Sequence, residues 1–315
     1  MIRRDFLTRL AAGAAATGML HGGKTLALAV QGNTSPAGSA AKLERISIST
    51  WSLHNYFPST REKEFNLPGP TLALLDFPEM IVDKYKVHHF EFCTTHFASS
   101  EPSYLQEIRS RLVRTHSTVV NMPVDIEGLW DQGGLSDPDQ KKRDWAVNAY
   151  KKWIDVAHNL GVKSVRCDPG KMDPKNLERT AQSYRALASY AEPKGVHVII
   201  ENHGGVGSEH PEELVKLFKL AGPADVGALP DMGNFPDEAT RQQGLAMLFP
   251  YAHVVCHAKG LEIDSDGVEK KYDFPKAIEI SKKAGFQGIY SIEYEGPGDP
   301  YVGVQKTLDE LLKYL

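Results

Sequence analysis

Cysteine, positive charge and long apolar runs are all scarce in this chain, and each scarcity removes a class of function. Three cysteines occur in 315 residues, Cys93, Cys167 and Cys256. They are odd in number and far apart, which excludes a disulfide framework or a paired-cysteine metal site and leaves them as small buried hydrophobes. Lysine and arginine number 36 against 40 acidic residues, for a net charge of -4. Nucleic-acid binders need a basic surplus, because phosphate contacts dominate their affinity, and none is present. Beyond the N-terminus no apolar stretch reaches the length of a bilayer span, so no stable membrane insertion is expected.

The N-terminus has its own pattern. Met1-Ile2-Arg3-Arg4-Asp5-Phe6-Leu7 precedes a small apolar stretch from Leu10 to Leu20, and Ala27-Leu28-Ala29 has the form of a cleavage site. A charged start followed by a short apolar run describes an export signal, and the arginine pair resembles a twin-arginine signal. That resemblance implies the twin-arginine export machinery as a partner and a periplasmic or otherwise extracytoplasmic destination. Residues Gln31 to Ala41 are small and polar and suit a linker. The expected organisation is a signal and linker over 1–42 and one domain over 43–315.

From Leu43 onward short apolar strands alternate with amphipathic helices, the pattern of a parallel sheet with helical crossovers. Eight strands are predicted: Ile46 to Trp51, Val87 to Cys93, Thr118 to Met122, Ser164 to Asp168, His197 to Glu201, Val226 to Asp231, His253 to His257 and Ile289 to Glu293. Trp145, Ala149, Trp153, Val156, Ala157 and Leu160 recur at helical spacing before Gly161. Asp173-Pro174 and His210-Pro211-Glu212-Glu213 read as helix starts, and Tyr301 to Leu315 as an eighth helix. Eight such units over about 270 residues predict an α/β fold, a single-domain (β/α)8 TIM barrel. A doubly wound open sheet would carry a glycine-rich phosphate turn after its first strand, and Thr50-Trp51-Ser52-Leu53-His54 has no glycine.

Four polar residues end the last four predicted strands: Glu201, Asp231, His257 and Glu293. Each gap is about one βα unit, so successive strands deliver one ligand each to the rim where active sites of this fold are built. Three carboxylates and one imidazole suit a single divalent ion, manganese foremost, with magnesium, cobalt and zinc as alternatives. Glu295 shares the parity of Glu293, but Glu293 directly ends the apolar run.

The order Glu, Asp, His, Glu on strands five to eight resembles the xylose-isomerase-like TIM-barrel family and its sugar isomerase/epimerase-like branch. The segments Ile200-Glu201-Asn202-His203, Asp231-Met232-Gly233-Asn234, His257-Ala258-Lys259 and Ile292-Glu293-Tyr294 carry the likeness. It implies that Glu201 and Glu293 act as acid and base as well as ligands, on a hydroxy-carbonyl sugar whose proton moves through an enediolate. It also implies dimers or tetramers, and residues around the mouth that bind substrate hydroxyls. Strand parity and loop position nominate His203, Lys259, Arg166, Glu91, His54 and His96 for that task, with Asp168 sharing a face with Arg166. The first chemical step is common to isomerases, epimerases and dehydratases or lyases of keto-sugars and keto-glycosides, so the motifs do not choose among them. A nuclease of the same superfamily needs a further histidine where Asn234 stands. A sugar-binding barrel without catalysis is the remaining alternative.

Overall fold

The computed structural model describes residues 36–61, 70–129, 134–222 and 225–315. The arginine pair, the apolar stretch and the Ala27-Leu28-Ala29 site lie outside the described residues.

Eight parallel strands form the sheet: β1 (Ile46–Ser49), β2 (His89–Glu91), β3 (Thr118–Val124), β4 (Ser164–Cys167), β5 (His197–Glu201), β6 (Val226–Leu229), β7 (Val255–Gly260) and β8 (Ile289–Tyr294). They run in the order β6-β5-β4-β3-β2-β1-β8-β7, with every neighbouring pair parallel. β6 and β7 meet through one isolated bridge, Asp231 to His257. There Met232 N–H donates to the His257 carbonyl at 3.1 Å and His257 N–H donates to the Pro230 carbonyl at 3.0 Å. Proline has no N–H to extend the ladder, which is why β6 stops at Leu229 although the pattern predicts a strand through Asp231. The barrel therefore closes at two of the four predicted ligands.

The helices follow the sequence pattern with local shifts. In Gln140–Leu160 the Asp139 carboxylate accepts from Lys141 N–H at the start, and Gly161, at φ 73°, takes the left-handed turn at the end. Val156, Ala157 and Leu160 are buried as expected, whereas earlier in the helix the buried face runs through Ala146, Tyr150 and Ile154, one position on from the expected Trp145, Ala149 and Trp153, and leaves Trp145 40% exposed. Leu177–Ala191 buries Leu177, Ala181, Tyr184, Ala188 and Ala191 as expected. Pro211–Ala221 and Pro300–Tyr314 also form where the pattern starts helices. Pro36–Leu43 is helical where a linker is expected over Gln31 to Ala41. The first predicted strand ends early because Ser49 turns the chain: its hydroxyl accepts from Trp51 N–H and caps a 3-10 helix over Thr50–Tyr56. Among the described residues no helix is long and apolar enough to cross a membrane.

The main core lies between the strands and the helices. A second, small cluster of Ile199, Leu229 and Val255 lies apart from it. Each of the three stands two residues before a predicted ligand, so strand parity puts it on the same face one layer down. Glu201, Asp231 and His257 thus rest on an apolar floor inside the barrel.

Candidate metal centre and its cavity

One nitrogen or oxygen from each of Glu201, Asp231, His257 and Glu293 lies within 4.8 Å of the others, and all four side chains are buried. His257 Nδ1 is 3.2 Å from Glu201 Oε1, 3.2 Å from Asp231 Oδ2 and 3.4 Å from Glu293 Oε2. Glu293, and not Glu295, joins this group.

Each donor is aimed by a second partner. Asp231 Oδ1 accepts from Gly233 N–H at 2.7 Å and Asn234 N–H at 2.9 Å, which turns Oδ2 into the cluster. The Asn202 side chain ties the ends of β5 and β6 together, accepting from Asp231 N–H at 2.8 Å and donating to the Asp231 carbonyl at 3.0 Å. Asn234 donates to Glu201 Oε1 at 3.1 Å. His257 Nε2 lies 3.0 Å from Glu91 Oε2, Asn121 donates to Glu91 Oε1 at 2.6 Å, and Ser164 donates to Asn121 at 2.8 Å. A carboxylate behind a histidine fixes its tautomer and directs the other nitrogen outward, here Nδ1 into the cluster. Glu91, expected to bind sugar hydroxyls, is completely buried there behind His257 and does not line the cavity described below.

The donor set fits a divalent cation. Burial works against a charged His257, yet Glu293, Glu91 and Glu201 outweigh it and hold its pKa well above the usual histidine value. Three carboxylates and one imidazole nitrogen converging on one point are a hard donor set that suits a divalent ion. Lys259 Nζ sits 3.3 Å from Asp231 Oδ2, 2.9 Å from Glu293 Oε2 and 3.0 Å from Glu295 Oε2. Three carboxylates, one ammonium and a dication would be formally neutral. Burial pushes Glu293 up to about 7, against the pull of His257 and Lys259.

Above the cluster lies a cavity of about 300 Å³ lined by Trp51, Asp125, Leu129, Arg166, His203 and Glu295, with Glu201 and Glu293 in its floor. Asp231 and His257 do not line it. Arg166 organises one wall. It donates to Glu201 Oε2 at 2.9 Å and Asp125 Oδ1 at 2.7 Å, and its Nη1 lies 3.2 Å from Asp168 Oδ2. His203 Nδ1 is 3.0 Å from Asp168 Oδ2, and Glu201 and Asp168 lift its pKa to about 9 in spite of burial.

His54 and His96, expected at the substrate, do not line this cavity. His96 is held by Thr50 Oγ1 at 2.9 Å on Nδ1 and Thr60 Oγ1 at 3.0 Å on Nε2, and it stacks on Phe57 with ring centroids 3.9 Å apart. His54 stacks on Trp51 at 4.8 Å, with Nδ1 2.8 Å from the Trp51 carbonyl. Both brace Trp51, whose Nε1 donates to Glu295 Oε1 at 2.6 Å. Strand parity and motif spacing single out neither Trp51 nor Asp125. The signal for Asp125 is indirect: a buried arginine ending β4 demands acids nearby, and Asp125, just past the end of neighbouring β3, is one such acid.

His96 also carries a pH prediction. Burial, with His54 adding to it, pushes its pKa down from 6.5 to about 3. Below pH 6.5 the unfolded chain takes up a proton that the folded chain refuses, so stability falls as pH drops from 6.5 towards 3. The expected loss is about 2 kcal/mol between pH 6.5 and about pH 5. Urea unfolding of the wild type and His96→Gln at both pH values measures it, and identical pH slopes for the two proteins would show that His96 charges freely in the fold.

The sequence profile of the xylose isomerase-like TIM barrel matches residues 81–315. Inosose dehydratase of Glaesserella parasuis serovar 5 (strain SH0165) is 25% identical over 190 residues, which cover 55% of this chain and 61% of that protein. The chain thus spans about three fifths of the curated relatives it matches first. Among solved structures, a D-tagatose 3-epimerase-like protein superimposes with a TM-score of 0.65 at 16% identity, covering 85% of this chain and 97% of that one. The IOLI protein, solved with a zinc atom, gives 0.64 at 16% identity, covering 86% and 99%. The profile match takes in seven of the eight strands and all four clustered donors, and on that extent the chain belongs to the xylose isomerase-like TIM barrel family.

Proposed function

We propose that the chain is a divalent-metal-dependent enzyme that moves a proton on a hydroxy-carbonyl sugar or sugar derivative, as an isomerase or epimerase. One observation carries this reading: of the four clustered donors, Glu201 and Glu293 open onto the cavity and Asp231 and His257 do not. Two residues anchor, and two can touch both an ion and a substrate. A bound divalent ion supplies Lewis-acid polarisation of the sugar carbonyl and electrostatic relief for the charge that develops there. Glu293 takes the proton from the carbon beside the carbonyl, as a carboxylate whose basicity burial has raised. Glu201, held by Arg166 and Asn234, stands at the other side of the reacting carbon. Trp51 and Leu129 exclude water from the cavity wall. Manganese is the first metal to test, with zinc and magnesium beside it.

A lyase reading has its own observation. His203 lines the same cavity beside Glu201, with Asp168 3.0 Å from its Nδ1, so it stands where it can protonate an oxygen that leaves from the carbon next to the enolate. The inosose dehydratase relatives are consistent with that outcome. Metal analysis followed by incubation with keto- and aldo-sugars in D2O separates the readings. Deuterium at one carbon of an intact sugar supports the isomerase or epimerase, and loss of water or of a glycosyl group supports the lyase. Tight sugar binding with no exchange on any substrate would leave a binding barrel.

We also propose export by the twin-arginine route, on the strength of Arg3-Arg4 ahead of a short apolar stretch. Changing both arginines to lysine is expected to leave the protein in the cytoplasm on fractionation. Export that continues unchanged removes the assignment.

A further inference from the structure

Two cavities open off the same pair of side chains. The first is the 300 Å³ space above Glu201 and Glu293. The second, of about 550 Å³, lies over the turns that follow β4 and β5, and Glu201 and His203 line it as well. Its remaining walls include Pro169, Lys171, Met172, Val206 and Leu214. Gly204 and Gly205 line it too. They stand at φ 68° and 51°, a left-handed pair that side-chain-bearing residues rarely adopt, and a Cβ on either would meet nothing within 4 Å.

The lining has a definite chemistry. Pro169, Met172, Val206 and Leu214 offer apolar surface, while Lys171 and His203 offer nitrogen donors at the edge. Apolar walls with a few placed polar groups are the general form of a small-molecule site, and they match a pyranose, whose ring C–H groups are apolar and whose rim is hydroxylated. A monosaccharide reacting at Glu201 and Glu293 occupies the first cavity and leaves the larger one unused.

We infer that the second cavity is a subsite for a second sugar ring, so that the substrate is a keto-glycoside of two linked rings. The carbonyl-bearing ring lies between Glu201 and Glu293, the glycosidic oxygen passes His203 at the junction, and the other ring rests on Val206 and Met172. This inference rests on the proposed sugar chemistry of the first cavity.

Calorimetric titration of the metal-loaded protein tests it, with a keto-monosaccharide, and with a disaccharide carrying the same ketone in one ring. The disaccharide is expected to bind at least tenfold more tightly. Val206→Trp, which fills the second cavity from the β5 side, is expected to erase that difference. Met172→Trp fills it from the β4 side and gives the same answer if Val206→Trp does not fold. Equal affinities in the wild type, or a gain that survives both substitutions in folded protein, overturn the subsite. Deuterium exchange on the same two sugars separates this outcome from failure of the chemistry. Exchange on both with equal affinities removes the subsite alone, whereas tight disaccharide binding without exchange removes the reaction and leaves the subsite standing. No binding of either sugar overturns both.

Discussion

Glu293→Gln is expected to lower sugar proton exchange by about 10²–10⁴-fold, the usual worth of a positioned acid or base, while the protein still takes up a metal ion. The amide can present an oxygen to the cluster but cannot accept a proton, so the loss should fall on turnover far more than on substrate affinity. Asp231→Asn should behave in the opposite way, weakening the metal, since Asp231 does not line the cavity above the cluster and its second oxygen is already committed to Gly233 and Asn234. Chelation of the wild type should abolish exchange and leave far-UV circular dichroism nearly intact. A barrel of this size has a core that stands without an ion, unlike a small metal-nucleated domain. At a metal concentration of about 100 Kd the ion contributes only about 2.7 kcal/mol, so the melting temperature should drop by a few degrees and no more. Wild-type exchange in Glu293→Gln would move the base to Glu295 or His203. Unfolding on chelation would make the site structural and withdraw the main support for an enzyme.

The largest effect on stability is expected at Arg166. Its side chain is 5% exposed and faces three carboxylates, Asp125, Asp168 and Glu201. Burial opposes its charge, but Asp168, Asp125 and Glu201 together hold its pKa well above the usual arginine value. Arg166→Met keeps the alkyl volume and removes the charge, leaving three acids that face one another with only His203 and His257 beside Asp168 and Glu201. Breaking a buried pair in this way costs about 3–5 kcal/mol. In a protein of this length that corresponds to a fall in melting temperature on the order of 10 °C. Asp168→Asn added to Arg166→Met should recover part of the loss, because it removes one of the stranded charges. An Arg166→Met protein within about 1 kcal/mol of the wild type would show that water or proton uptake relieves the acids, and the wall would then be looser than its geometry implies.

The fold is legible in the sequence because each strand is a short apolar run that ends on a polar residue, and the helices between them carry their own starts and stops. Glu201, Asp231, His257 and Glu293 are legible from spacing, since parallel strands one βα unit apart bring their polar ends to the same rim. What strand parity does not give is depth. Glu91 has the right parity, but β2 ends lower than β5, and its carboxylate meets the back of His257 instead of the cavity. His54 and His96 both lie on 3-10 turns just past strands, where the strand period no longer applies, and local ring stacking decides their direction. Trp51 has the pattern of a strand's last residue, and the Ser49 cap turns it into a cavity wall. Asp125 escapes a strand expected to end at Met122, whereas the longer β3 brings it onto the same face as Asn121.

The seam between β6 and β7 has a consequence for how the molecule assembles. Every other strand pair holds its register through several ladder positions, whereas this one is set by a single bridge between Asp231 and His257. A slip of one residue there would turn one of the two side chains to the opposite face and scatter the donors. An ion that requires both residues at once therefore rewards only the correctly joined barrel and acts as a proofreader of closure. The two residues stand only 26 apart in sequence, so the seam can form, rightly or wrongly, before the long-range pairing of β1 with β8 joins the rest of the sheet. Metal present during refolding should accordingly yield more correctly closed protein than the same metal supplied after refolding is complete.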